Sequence, residues 1–174
     1  EPIVSDMDSP PFDKSMLDGF AIAVEDSSPT RRIIEQVIAG GVPQHAIEPG
    51  VTIQVMTGAP IPDGANAVVK HEDTERLDES TVRLPDKPLA PGAGIFQRGG
   101  SFQQGEEVVH AGKIVRAIDL ALMAEVGQGI VSVIPRPRVA VLSTGNELVE
   151  CSQPLAAGQI RNSNGPMLVA AIQE

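Results

Sequence analysis

The segment Asp13-Lys14-Ser15-Met16-Leu17-Asp18-Gly19 sets two carboxylates and a hydroxyl beside a glycine, between Phe12 and Phe20. An ionised aspartate only accepts hydrogen bonds, so either acid suits a substrate N–H, a protonated oxygen or a cation. Gly19 permits a sharp bend. The spacing Ser15-x-x-Asp18 is also that of a capped first helical turn, whose whole task would be to fix the two phenylalanines in a core. Residue types alone leave the two readings level.

Three later segments carry the same ambiguity. Thr57 and Gly58 close the run 51–56 and put a hydroxyl beside flexible backbone, where a ligand can come close; Pro60, Pro62 and Gly64 would equally make a stiffened turn. Ser143, Thr144, Gly145, Asn146 and Glu147 follow the apolar run 138–142, at the carboxyl end of an expected strand, where open α/β sheets place ligands. The hydroxyls and the Gly145 amide can donate to an anion or carbonyl, while Glu147 can accept from an amine or help hold a cation. Arg161, Asn162, Ser163 and Asn164 precede an expected helix, with Asn164 as its cap and Pro166 in its first turn. Its free amides and positive end offer an anion seat to which Arg161 can add charge, and ordinary capping explains the same residues.

The blocks DKSMLDGFA at 13–21, VMTGAPIPDGANAVV at 55–69, VLSTGNELVE at 141–150 and GQIRNSNGPMLVAAI at 158–172 occur in that order and nearly span the chain. Together they resemble the N-terminal and middle portion of the MoeA family of molybdopterin molybdotransferases, which includes the gephyrin E domain. The resemblance implies insertion of molybdate into adenylylated molybdopterin with release of AMP, assisted by Mg2+. It implies catalytic roles for Asp18, Thr57 and Glu147, with Asp18 entering a partner's cleft across a homodimer interface. Ser143, Thr144, Gly145, Asn146, Ser163 and Asn164 would then bind the pterin nucleotide. The family's downstream glycine-rich and lysine-rich segments are not found here, so this polypeptide alone is expected to be inactive. The alternative is a noncatalytic scaffold or partner-binding module of the gephyrin type. A third reading is a relative with an altered ligand, because Gly100 and Ser101, Asn146 and Asn162 stand where the family commonly has acids. A neutral amide serves a hard cation less well than a carboxylate, and no residue is assigned to a metal.

The elements that must position these groups are short. Runs rich in β-branched residues at 33–39, 51–56, 67–72, 81–84 and 107–110, punctuated by glycine and proline, predict five strands with a hairpin tip at 77–80. In AIDLALMAEVG the spacing of Ile118, Leu122 and Val126 predicts an amphipathic helix stopped by Gly127. A strand at 130–134 and a stiff joint at Pro135 and Pro137 follow. The strand at 138–142, its polar loop and the final helix open a unit without a second parallel strand, so an α/β domain cut short is expected. The predicted fold is mixed and β-rich. It has a β module over 13–105, a small α+β segment from 1–12 and 106–134, and the start of an α/β domain over 135–174, which the resemblance makes molybdopterin-binding.

Composition bounds the partners. At 174 residues and 41% apolar, with four Phe and neither Trp nor Tyr, the chain must build its core from aliphatic side chains. A net charge of −10 repels phosphate backbones and anionic lipid, which argues against nucleic acid and membrane surfaces. A small anion must be held by local donors. The single cysteine, Cys151, excludes an internal disulfide and fits the cytoplasm, and the first thirty residues lack the pattern of a signal peptide. His45, His71 and His110 are too widely spaced for a structural zinc site.

Overall fold

The computed structural model describes residues 1–173. The chain divides into two compact units, Glu1–Val131 and Ser132–Glu174. The first contains β1 (Ile3–Val4), β2 (Lys14–Ser15), β3 (Gly19–Ile22), β4 (Thr30–Val37), β5 (Val51–Val55), β6 (Ala67–Lys70), β7 (Glu75–Arg76), β8 (Thr81–Arg83), β9 (Ile95–Phe96), β10 (Glu107–Val109) and the helix α1 (Ala117–Glu125). Its main sheet runs β6-β3-β5-β4-β8-β7. Only the β4–β5 pair is parallel; the other neighbours are antiparallel, and of these only β7 and β8 are consecutive strands joined as a hairpin.

Strand β3 is enclosed on every side. Phe20 lies opposite Gln54 on β5 and Val69 on β6, and all four strand residues are buried. Ala21 packs with Val37, Ile53, Val55 and Val68 in one cluster, and Ile22 packs with Ala67 and Val69 in the other. Each large aliphatic side chain buried in this way stabilises by about 1.5–3 kcal/mol. Glycine at the start of β3 has a packing reason, since a Cβ on Gly19 would lie 2.0 Å from the Val69 carbonyl oxygen.

This corrects the capped helical turn expected at Ser15–Asp18. Ser15 belongs to β2 and lies opposite Ile95 on β9. Its hydroxyl donates to the Leu17 carbonyl at 2.6 Å and accepts from the Leu17 N–H at 3.2 Å, tying a bend between β2 and β3. A single helical turn gains little for the dihedrals it fixes, whereas strand pairing satisfies the whole segment.

The first residues of the chain lie against its later parts. β1 pairs with β10, and the Asp8 carboxylate accepts from Arg98 Nε at 2.6 Å and from the Gln104 N–H at 2.9 Å. Asp13 Oδ1 accepts from the Arg98 N–H at 2.7 Å, and the Ser9 hydroxyl donates to Glu125. The face that α1 buries matches its aliphatic spacing at Val126, which is buried, and at Leu122, which is half-buried, but not at Ile118. Asp119 and Met123 on the helix, with Val126 at its end, point inward, while Ile118 is 65% exposed. Asp119 accepts from Lys113 Nζ and from the Arg116 N–H at 2.9 Å, and this buried anchor fixes the rotation of the helix.

The second unit has two short parallel strands, β11 (Leu148–Val149) and β12 (Ile160–Arg161), followed by α2 (Asn164–Gln173). The strands expected at 130–134 and 138–142 do not form. Among the described residues neither has a partner ladder, and an unpaired extended run leaves its backbone groups to water. The capping side chain of α2 is Asn162, whose Oδ1 accepts from the Gly165 N–H at 2.9 Å; Asn164, expected as the cap, is the first helical residue. No helix among the described residues is long and apolar enough to cross a membrane.

Gly19→Ala forces the Val69 backbone away and should destabilise the first unit by about 3 kcal/mol, measured by denaturant unfolding. The Lys113 ammonium and the Arg116 N–H hold the Asp119 carboxyl below the usual aspartate range. A depressed native value contributes stability above the unfolded value and loses it as pH falls through the native one. Asp119→Asn should therefore lower the thermal midpoint at neutral pH, and the gap to the parent should close by about pH 2.

Candidate functional site

The loop after β5 crosses the bend before β3 and joins two of the sequence-predicted residues. The Ser15 N–H donates to the Ala59 carbonyl at 2.9 Å, and the Gly58 N–H donates to the Ser15 carbonyl at 2.8 Å. Gly58 has φ +84, a conformation that favours glycine, so the loop can turn back immediately after Thr57. The clasp sets Thr57 against Asp18. Asp18 Oδ1 accepts from the Thr57 N–H at 2.7 Å and from its hydroxyl at 2.8 Å. These two donors, the backbone one foremost, lower the pKa of Asp18 below the usual aspartate value, with the His71 charge a smaller cause in the same direction.

Asp18 and Thr57 are both exposed. One carboxylate oxygen is occupied by Thr57, and the other carries no hydrogen bond among the described residues. The pair therefore presents a fixed, ionised acceptor to solvent. Asp13, the other acid of the segment, already spends an oxygen on the Arg98 amide. Arg98 itself is committed to Asp8.

In the second unit, two of the predicted segments meet at the start of α2. A Cβ on Gly165 would lie 2.9 Å from the Asn162 amide nitrogen and 3.2 Å from Ser143 Oγ, so both polar groups crowd the first turn of the helix. Glu147 folds back over Gly145, where a Cβ would meet its carboxylate oxygens at 2.5 and 2.6 Å. Thr144, Asn146, Ser163 and Asn164 are exposed on the same two segments. Arg161 points to the Gln153 carbonyl at 3.3 and 3.4 Å, which leaves the charge expected at the helix end engaged elsewhere.

Sequence reading passed over one residue beside the first group. His71 follows β6, donates its N–H to the Asp18 carbonyl at 2.9 Å, and lays its ring on Phe20 with centroids 5.9 Å apart. The signal that would have found it, the β3–β6 pairing that sets Gly19 opposite Lys70, lies in the fold and in no local motif. No group of three or more His, Cys, Asp or Glu among the described residues is arranged to hold a metal ion. The described residues do not assemble a Mg2+ site by themselves.

A family model described as the MoeA N-terminal region (domain I and II) matches residues 1–127. The chain is 37% identical to a molybdopterin molybdenumtransferase of Staphylococcus aureus, with 100% of this chain and 43% of that protein covered. It is 38% identical to the protein of the same name from Staphylococcus epidermidis, with the same coverage. Two crystal structures of the molybdopterin biosynthesis MoeA protein from Pyrococcus horikoshii superpose with TM-scores of 0.80 and 0.89, at 36% and 35% identity. They cover 100% and 99% of this chain, which in turn spans 46% and 48% of those chains. The chain thus spans about half the length of the relatives it matches.

Replacing Thr57 by Val keeps the backbone donor to Asp18 and removes the hydroxyl. The Asp18 pKa should rise part of the way to its ordinary value, observed as a shifted carboxyl 13C titration, while Thr57→Ser should leave it in place.

Proposed function

The chain belongs to the MoeA family, and on that footing we propose that the full-length protein transfers molybdenum from molybdate to adenylylated molybdopterin and releases AMP. The fixed Asp18–Thr57 pair is the observation that carries this reading. Two anions must meet in such a reaction, so fixed donors have to offset their repulsion, and an acceptor is needed for the proton or cation that accompanies them. Asp18 supplies the acceptor. Its free oxygen faces solvent, and Thr57 holds the other with two short bonds, which keeps the group oriented and ionised at neutral pH.

Ser143, the Gly145 amide and the Asn164 amide at the start of α2 are the donors we assign to the pterin nucleotide's phosphate, and Thr144, Asn146, Ser163 and the Asn164 side chain complete that surface. Glu147 takes a pterin amine. The crowding of Ser143 and Asn162 at the start of α2 supports this assignment, because a helix N-terminus with convergent donors favours an anion. Mg2+ would need donors beyond these. It takes one or two carboxylates and completes its shell with water and substrate phosphates.

We further propose a cytoplasmic homodimer. Ile114 and Ile118 are 80% and 65% exposed around the start of α1, apolar side chains that a second copy would cover. The three parts of the chain, 13–105, 1–12 with 106–134, and 135–174, are proposed as separate domains, the last completed by the segment that its relatives carry downstream.

Asp18→Asn or Thr57→Ala in the full-length protein should cut molybdenum transfer by at least about tenfold, the loss expected when a positioned polar group is removed from a reacting centre. Residues 1–174 alone should show no turnover in the same assay. Unchanged transfer by both variants removes the pair from the site.

A further inference from the structure

One cleft of the first unit takes in none of the residues assigned so far. It has a volume of about 370 Å3, within the range of small-molecule sites, and apolar walls from Ile22 on β3, Val69 on β6, Val24, Leu84 and Leu89. Leu84 and Leu89 also pack against the cluster of Ile22, Ala67 and Val69. Leu84 is pinned through its N–H to the Pro29 carbonyl at 2.9 Å, but from Pro85 to Leu89 no hydrogen bond is made among the described residues, and Pro85 and Pro88 have no N–H to give. Side-chain packing alone holds that stretch, so it can yield to a ligand.

Arg31 on β4 lines the same cleft and is 2% exposed. Its Nη2 donates to the Asp26 carbonyl and its Nη1 is in an ion pair with Asp26 Oδ2, while Nε has no acceptor among the described residues. Asp26 has other donors to serve. Its Oδ1 accepts from the Ser28 N–H at 3.0 Å and the Ser28 hydroxyl at 2.7 Å, and its Oδ2 accepts from the Gly50 N–H at 2.6 Å. A buried N–H that has given up water without gaining an acceptor destabilises the fold until something supplies one. The Arg31 charge, by contrast, is already matched by Asp26. The other charged groups lining the cleft, Asp86 and Lys87, are exposed and opposite in sign. The balance gives an anion no advantage and leaves it the cost of losing its water.

We infer that this cleft is a binding site for a small uncharged molecule with an apolar body and a carbonyl oxygen, as in a ketone, ester or amide. The oxygen accepts from Arg31 Nε–H, and the body lies among Val24, Val69 and Leu89. Nε is closed to solvent, so the oxygen reaches it as the stretch 85–89 shifts.

Calorimetric titration of the full-length protein with cyclohexanone tests this, with cyclohexanecarboxylate and cyclohexylammonium as charged probes on the same ring. Cyclohexanone should bind, the carboxylate should bind roughly tenfold more weakly because it is desolvated in a charge-balanced site, and the ammonium, which has no acceptor, should give no binding heat. Val24→Phe fills the cleft, leaves Arg31 in place and should abolish cyclohexanone binding. Arg31→Lys keeps a cation for Asp26, removes the Nε–H and should weaken binding about tenfold, the worth of one charge-assisted hydrogen bond. If Arg31→Lys does not fold, Val24→Phe decides. The inference is overturned by a parent that does not bind cyclohexanone, by a Val24→Phe variant that binds it as the parent does, or by a carboxylate that binds as tightly as the ketone.

Discussion

Strand β3 has no surface of its own. Its edges are taken by β5 and β6 and its two faces by separate aliphatic clusters, so nothing about its position is left to solvent. The approach to β6 is so close that the first residue of the strand can be only glycine. The residue just before that glycine is Asp18, which therefore leaves the most constrained strand of the sheet at a fixed angle. A carboxylate on an ordinary loop would sample many directions; this one starts from a rigid base and is then caught by Thr57.

The same arrangement solves an electrostatic problem locally. In an acidic chain any anion has to be held by local donors, because the long-range field works against it. The donors are backbone amides and hydroxyls, which carry no net charge to be screened. Of the cations near the bend, Lys70 and Arg98 are already matched with carboxylates. Arg98 and Lys113 hold loops together, bonded to Asp8 and Asp119.

Much of the strand pattern is legible in the sequence because β4, β5, β6, β8 and β10 contain Val, Ile and Thr, whose side chains fit a pleated surface. The hairpin tip at 77–80 falls between β7 and β8, where the Leu77 N–H donates to the Thr81 carbonyl at 2.9 Å. Strand β3 was not legible. Gly-Phe-Ala-Ile has neither the length nor the alternation of a strand, and Ser15-x-x-Asp18 imitates a helix start; the decision is made by neighbours thirty and more residues away. The face of α1 is legible at Leu122 and Val126 but not at Ile118. Aliphatic spacing favoured Ile118, yet a buried carboxylate with two donors outranks it. Asp18 and Thr57 each stood out in the sequence, but their hydrogen bonds span 39 residues and belong to tertiary structure. The runs at 130–134 and 138–142 have strand composition without a strand's partner, which composition cannot supply.

The contacts of the opening strip have a temporal side. Asp8 meets Arg98 and Gln104, and Ser9 meets Glu125, at separations of 90, 96 and 116 residues, whereas β3, β5 and β6 come together within residues 19–70. On a ribosome the strip emerges before Arg98, Gln104 and Glu125 and cannot dock on them until they are made. At about 5–20 residues per second it waits on the order of ten seconds for its acceptors to be made. Until then those residues have none of these partners and stay open to proteases and chaperones.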